Sequence, residues 1–258
     1  MYTTLDGIRI LVTGAASGIG AASVHVLTEA GARVAATFHN TAPTPDAAPI
    51  SGSTAPHWLH CDVTDQESVD AAFTEATETL GGLDVLVHAA GRWAGHVPGQ
   101  ITVDDLQTML DINFVSTVLT NQAAFTAMSA GGGGRIINFG SSEGVSGSTI
   151  SAPYAAAKAA VHSWTRSAAR AWAPRNITVN TVAPAVATPG ADRRWEFVGP
   201  QAAEQFRKQL QSAIPLGGHL GDPQDDLGPV LVFLAGAGAR FITGQFLAVN
   251  GGLLMVGG

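Results

Sequence analysis

The sequence predicts an α/β fold, a doubly wound parallel sheet of about seven strands in a single domain with helices on both faces. Three observations lead there. Short apolar, strand-like runs alternate with helix-compatible stretches to the end of the chain, the pattern of strand–helix–strand crossovers. A glycine-rich turn, Thr13-Gly14-Ala15-Ala16-Ser17-Gly18-Ile19-Gly20, follows the first of these runs directly. The 258 residues, 46% of them hydrophobic, suffice for a sizeable core, and no Pro/Ser/Gly linker divides them.

Residues 8–12 form a short apolar strand that runs into the glycine turn. The helix expected over 21–30 stops at Gly31, a suitable C-cap. A second strand covers 33–38, and residues 40–56, rich in Pro, Ala, Thr and Ser, read as a surface loop. The third strand, 57–61, ends in Asp62-Val63, and Thr64-Asp65-Gln66-Glu67 has the spacing of a capping box with Thr64 as N-cap. Strand 83–87 closes on the small residues Ala89-Ala90-Gly91; Thr102-Val103-Asp104-Asp105 then opens a long helix that carries Asn113. Glycines 131–134 lead into strand 135–139, and Ser151-Ala152-Pro153 supplies a helix start just before Tyr154. Strand 177–182 is followed by Pro184, Asp222-Pro223 is expected to cap a helix reaching about Leu234, and 246–249 is the last strand. In such a fold ligands bind at the carboxyl ends of the strands.

A formal net charge of -7 argues against a nucleic-acid footprint. The single cysteine, Cys61, excludes an internal disulfide, fits a reducing compartment and sits where a small core residue belongs. With neither a signal-peptide pattern nor an apolar run of membrane-spanning length, the expected location is cytoplasmic. Charged residues are only 13% of the chain, so part of its surface is expected to be covered by other subunits.

Gly14, Gly18 and Gly20 lie at a strand-to-helix junction, where backbone can approach a pyrophosphate and a helix N-terminus offers unpaired N–H groups. Asp62 and Val63 are placed to meet an adenine through a carboxylate and a backbone amide. The end of the second strand should select NAD through a carboxylate or NADP through an arginine. Phe38, His39 and Asn40 provide neither, so the choice stays open, with His39 and Ser17 as modest contacts. Tyr154 and Lys158, four apart, share a helix face. Free tyrosine titrates near 10, and a nearby ammonium would lower that value toward useful base chemistry. The hydroxyl pair Ser141-Ser142 lies upstream. His57 and His60 have poor spacing for a shared metal, and no metal site is expected. His88 and His96 read as structural or solvent-facing, with His96 able to line the cleft.

In this order the motifs resemble the short-chain dehydrogenase/reductase family, of the type whose length this chain shares, from about Gly7 to Gly252. The resemblance implies a Rossmann-type fold and an NAD(P)-dependent oxidoreductase that interconverts a secondary alcohol and a ketone. Tyr154 would be the acid/base, Ser141 (with Ser142 as fallback) would hold the substrate oxygen, and Lys158 would bind the nicotinamide ribose. Asn113 would bend its helix and anchor a water. Ile19 in the turn, Ala90, Gly91, Pro184 and Thr188 join the cofactor contacts. Three positions depart from the family pattern: Phe38, His88-Ala89 where two asparagines are common, and Ala185 after Pro184. A dinucleotide-sensing protein without turnover, or a lyase or epimerase on the same scaffold, are the alternatives.

A lid is expected at about 185–215, carrying Trp195, Phe197 and Phe206 together with Arg193 and Arg194. The aromatics suit a small apolar or cyclic substrate and the arginines an anion; packing of the lid or of a subunit contact would serve equally. Trp93 and Val145 are further expected walls, and Glu143 a candidate substrate contact. The tail Leu253-Leu254-Met255-Val256 resembles family tails packed between subunits, implying a homotetramer.

Overall fold

The computed structural model describes residues 4–40, 43 and 55–255. Most of the loop expected at 40–56, and Val256 of the tail, lie outside them.

Strand β1 (Arg9–Thr13) is followed by helix α1 (Gly18–Glu29), strands β2 (Arg33–Phe38) and β3 (His57–His60), helix α2 (Gln66–Leu80) and strand β4 (Val85–His88). Helix α3 (Val103–Leu110) passes through a π-helical turn (Asp111–Val115) into α4 (Ser116–Gly131), and β5 (Gly134–Phe139) follows. A short helix α5 (Glu143–Ser146) precedes the long α6 (Ala152–Trp172) and β6 (Ile177–Pro184). The chain then forms α7 (Pro189–Val198), α8 (Pro200–Ala213), α9 (Gly228–Ala235) and β7 (Phe246–Val249).

The strands make one sheet of seven in the order β3-β2-β1-β4-β5-β6-β7, every neighbouring pair parallel. The expected fold class is therefore found. Alternate side chains of β1 feed opposite faces, as the two-residue strand period requires. Ile10 and Val12 pack with Leu27 of α1 and Leu231 and Leu234 of α9. Leu11 packs with Val69 and Phe73 of α2, Met128 of α4 and Ala168 of α6. Full burial of each such side chain is worth roughly 1.5–3 kcal/mol, so the central strand is anchored from both sides. At its amino end Arg9 binds Asp84 with two guanidinium bonds of 2.8 and 2.7 Å. That pair clamps β1 to the start of β4 at the end of the sheet remote from the cleft.

The sequence misplaces two helix starts. Asp65, not Thr64, caps α2, accepting from the Ser68 amide at 2.9 Å; the Thr64 hydroxyl instead donates to Asp62 at 2.7 Å. Asp222 does cap backbone amides, those of Gln224 and Asp225 at 2.7 and 3.0 Å, but in a turn, and α9 begins only at Gly228. By contrast Thr102 and Asp105 close the capping box that opens α3.

Candidate active site

The order of the strands reverses at β1, where the chain leaves β3 on one side and returns at β4 on the other. A cleft of about 500 Å³ opens there at the carboxyl ends of the strands, as the topology dictates. All the singled-out cofactor and catalytic positions, from Gly14 to Thr188, line it.

One limb is built by the turn after β1. Gly20 admits no side chain, because a Cβ would stand 2.2 Å from the Gly14 carbonyl oxygen. A Cβ on Gly14 would strike the Ala90 Cα at 2.6 Å, and its φ of +63° is left-handed. The turn is thus drawn tight against the end of β4. Ser17 precedes α1 in extended conformation with its side chain making no capping bond, so among the described residues its hydroxyl and the first N–H groups of α1 are available to an anion. Across the cleft Thr188 caps α7, accepting from the Ala191 amide, and its Cβ lies 3.8 Å from the point a Gly18 Cβ would occupy. Two helix N-termini converge, a donor set suited to a dinucleotide pyrophosphate.

At the far end of this limb stand Phe38, His39, Asp62 and Val63. The Asp62 carboxylate has neighbours for both oxygens: Thr64 donates its amide and hydroxyl to Oδ1, and His39 Nε2 is 3.6 Å from Oδ2. The Thr64 bonds hold the Asp62 pKa below the usual carboxylate range. Cys61 is buried beside it, and burial pushes its thiol up to about 11, which suits a core residue and not a nucleophile.

The other limb rises from β5 and α6. Ser141 follows β5 and lines the cleft, while Tyr154 sits in the first turn of α6. Lys158, one turn further and buried, donates to the Phe139 carbonyl at 2.9 Å, with Nζ 5.7 Å from the centre of the Tyr154 ring. Burial brings the Lys158 pKa down to about 8. The direction of the Tyr154 shift is upward, against the lowering expected from Lys158. Burial, and then the charge of Glu143, raise that phenol to about 12, opposed by a hydrogen bond with Ser141 and by the charge of Arg194.

Asn113 is fully buried in the π-helical turn. Its Oδ1 accepts from the Arg92 amide at 3.0 Å, while Nδ2 donates to the carbonyls of Arg92 at 2.9 Å and Met109 at 3.1 Å. It therefore fastens the segment after Gly91 to the helix. His88, which stands where the family pattern has asparagine, makes hydrogen bonds at the strand end: its Nδ1 lies 2.9 Å from Thr13 Oγ1 and 3.0 Å from Thr120 Oγ1. Burial pushes its pKa down to about 3, leaving it neutral. Ala185 holds a regular course, donating to Val249 and accepting from Gly221, each at 2.9 Å.

The segment expected as a lid forms α7 and α8. Arg193, Arg194 and Trp195 line the cleft, joined by Trp93 and Leu253. Phe206 serves packing, its ring 5.4 Å from Trp195. Phe197 packs on Trp93 with ring centres 5.9 Å apart. Val145 is 49% exposed and does not line the cleft, because α5 turns it outward. His96 is also outside it, 3.3 Å from Asp105. Glu143 is tied to its own protein: Arg194 forms an ion pair with it, and the Ser151 hydroxyl donates to it at 2.7 Å. Among the described residues, no group of three or more His, Cys, Asp or Glu side chains is arranged to hold a metal ion.

Sequence reasoning missed His162. Its Nε2 stands 3.3 Å from the Ser141 amide. The signal was present, since 154, 158 and 162 fall on one helical stripe.

The family model described as enoyl-(acyl carrier protein) reductase matches residues 14–254. The chain is 37% identical to cis-4-hydroxycyclohexanecarboxylate dehydrogenase of Sinomonas cyclohexanicum over 95% of this chain and 96% of that one. It is 34% identical to the 3-oxoacyl-acyl-carrier-protein reductase FabG of Vibrio cholerae, covering 98% and 99%. A crystal structure of a dehydrogenase/reductase from Sinorhizobium meliloti superposes with a TM-score of 0.82 at 31% identity, covering 98% of this chain and 97% of that one.

Proposed function

The chain belongs to the short-chain dehydrogenase/reductase family, and within it we propose an NAD(P)-dependent oxidoreductase that interconverts a secondary alcohol and a ketone, with Tyr154 as acid/base. The observation that carries this reading is the meeting of Ser141, Tyr154 and Lys158 in the cleft that the glycine turn borders. The residues fit a dinucleotide: a turn with no room for side chains, two helix N-termini and a buried lysine whose ammonium can reach ribose hydroxyls. When bound, the nicotinamide supplies or accepts a hydride at C4.

The chain's own part is the proton. Tyr154, with its pKa at about 12, is a neutral phenol near pH 7 and so stands ready as the acid that carbonyl reduction requires. Ser141 orients the substrate oxygen toward it. Lys158, pinned by the Phe139 carbonyl, is held in place for the ribose. In the direction of alcohol oxidation the phenol must first lose its proton, which Glu143 opposes. Trp93, Trp195, Leu210 and Leu253 wall the substrate end and favour a small apolar or cyclic alcohol or ketone, in keeping with the similarity to the cyclohexanecarboxylate dehydrogenase. Residues 185–215 serve as the lid. We also propose a cytoplasmic homotetramer; Phe241, fully exposed, and Phe233, 43% exposed, give it an apolar surface to bury.

The test pairs binding with turnover. Either NADH or NADPH should bind with a change in nicotinamide fluorescence, and Tyr154→Phe should keep that binding while losing most turnover in a screen of cyclic alcohols and ketones. A variant that turns over like wild type would remove Tyr154 from its role.

A further inference from the structure

Three features of the chain meet at one imidazole behind the catalytic loop. Residues 140–144, which carry Ser141 away from the sheet, lie against α6 at His162. A Cβ on Gly140 would stand 2.3 Å from His162 Nε2, and one on Gly144 would stand 2.7 Å from His162 Cε1. The loop thus dispenses with side chains at the two places where the ring presses into it. The ring itself is 6% exposed and packs edge-on against Phe246 of β7, with centres 4.7 Å apart. Between those glycines, the Ser141 amide donates to Nε2 at 3.3 Å.

We propose that His162 is a positioning residue: a buried hydrogen-bond acceptor that fixes the backbone of Ser141 and so aims its hydroxyl at the substrate oxygen. The inference rests on the reading of Ser141 as the residue that holds that oxygen. Acceptance at Nε2 requires the ring to be neutral with its proton on Nδ1. Burial and the nearby charges of Lys158 and Arg166 keep it so, bringing its pKa down to about 4. The serine side chain is already engaged locally, its Oγ accepting from the Glu143 amide at 3.2 Å. The hydrogen bond from the Ser141 amide to His162 ties the backbone of this serine to α6, the helix that carries Tyr154 and Lys158, beside the side-chain hydrogen bond with Tyr154. Serine, tyrosine and lysine are thereby held to one rigid element. Misplacement of a catalytic group by about 1 Å costs about a hundredfold in rate, which sets the scale of what this link protects.

The test uses two variants and one spectrum of the wild-type protein. His162→Leu removes the acceptor; His162→Gln returns an oxygen at about the reach of Nε2. The leucine variant should bind NADH or NADPH within about twofold of wild type yet lose about ten- to a hundredfold in kcat, with KM little changed, and the glutamine variant should recover most of that loss. Wild-type kcat in the leucine variant overturns the proposal, and so does an equal loss in both variants, which would mean that the ring only fills space. Nitrogen NMR of histidine-labelled wild-type enzyme should show the Nδ1–H tautomer for His162 between pH 6 and 8, a choice of range set by the ordinary histidine pKa of about 6.5; an Nε2–H tautomer refutes acceptance outright. That spectrum decides the matter even if the leucine variant fails to fold, and because it needs no substrate, its failure is distinct from failure of the dehydrogenase reading.

Discussion

Replacing Asn113 by alanine severs all the side-chain bonds that fasten the segment after Gly91 to the helix. The Arg92 amide loses its acceptor, and the carbonyls of Arg92 and Met109 lose their donor. A buried polar group left without a partner costs about 1–3 kcal/mol. Each group takes part of that penalty: the Met109 carbonyl lies within a helix, and water can reach the part-buried Arg92 groups. The sum is about 2–4 kcal/mol of lost stability. With a urea dependence of about 1–3 kcal/mol per molar, the unfolding midpoint should fall by about 1 M or more, followed by tryptophan fluorescence at fixed protein concentration. Catalysis should suffer as well, since a Cβ on Gly91 would lie 3.0 Å from Asn113 Oδ1 and 3.5 Å from Lys158 Nζ. A midpoint that stays at the wild-type value would show that these bonds carry no net weight and that the π-helical turn stands without them.

Glu143→Gln removes the charge that raises the Tyr154 phenol and frees Arg194, whose charge lowers it; both effects move the pKa down from about 12. The phenolate absorbance lost in Tyr154→Phe should therefore appear at lower pH, and an upward move would contradict the assignment. His88→Asn tests linkage. Its folded pKa of about 3 lies below the ordinary 6.5, so the unfolded chain binds the extra proton between those values. That contribution to stability is complete above pH 6.5 and is lost as pH falls toward 3. Wild type should lose stability more steeply than the variant there, by about 1.4 kcal/mol per pH unit, measured by urea unfolding at pH 7, 6 and 5; parallel curves would count against a buried neutral His88. Gly20→Ala places a methyl group 2.2 Å from the Gly14 carbonyl oxygen and should weaken NADH or NADPH binding at least tenfold, by the loss of pyrophosphate approach; unchanged affinity by fluorescence titration would separate the turn from the cofactor.

Much of this was legible in the sequence because it is written locally. A glycine turn between strand and helix, and a tyrosine and lysine one helical turn apart, are constraints that neighbours in the chain impose. The parallel sheet with helices on both faces followed from alternation. What stayed hidden was written across the fold. Arg194 and Glu143 are 51 residues apart, and nothing near either one announces the pair. The upward shift of the Tyr154 phenol was not legible for a related reason. Helical spacing put Lys158 close by, but the Phe139 carbonyl holds its ammonium, and at Tyr154 burial and the charge of Glu143 outweigh the groups that favour the phenolate. The misplaced caps show competition instead: Thr64 and Asp65 are both good N-caps, and Asp62 takes the Thr64 hydroxyl first. His162 was legible and overlooked, since its role becomes visible only when Gly140 and Gly144 are seen to make room for it.

The position of β1 has a consequence for how the chain comes together as it is made. β1 pairs on one side with β2, its near neighbour in sequence, and on the other with β4. During synthesis the first strands can zip up early, but one edge of Arg9–Thr13 stays bare until the whole of α2 and then Val85–His88 have emerged. That edge bares backbone N–H and C=O groups of Ile10, Leu11 and Val12, residues fully buried in the finished protein, and such a bare edge is a template for pairing with other chains. Nascent chains stalled just short of β4 should therefore bind chaperones or self-associate, and chains a few residues past it should not, a step that ribosome-bound fragments of graded length would reveal. The same strand that makes the cleft possible, by standing where the order reverses, is the one the growing chain must guard longest.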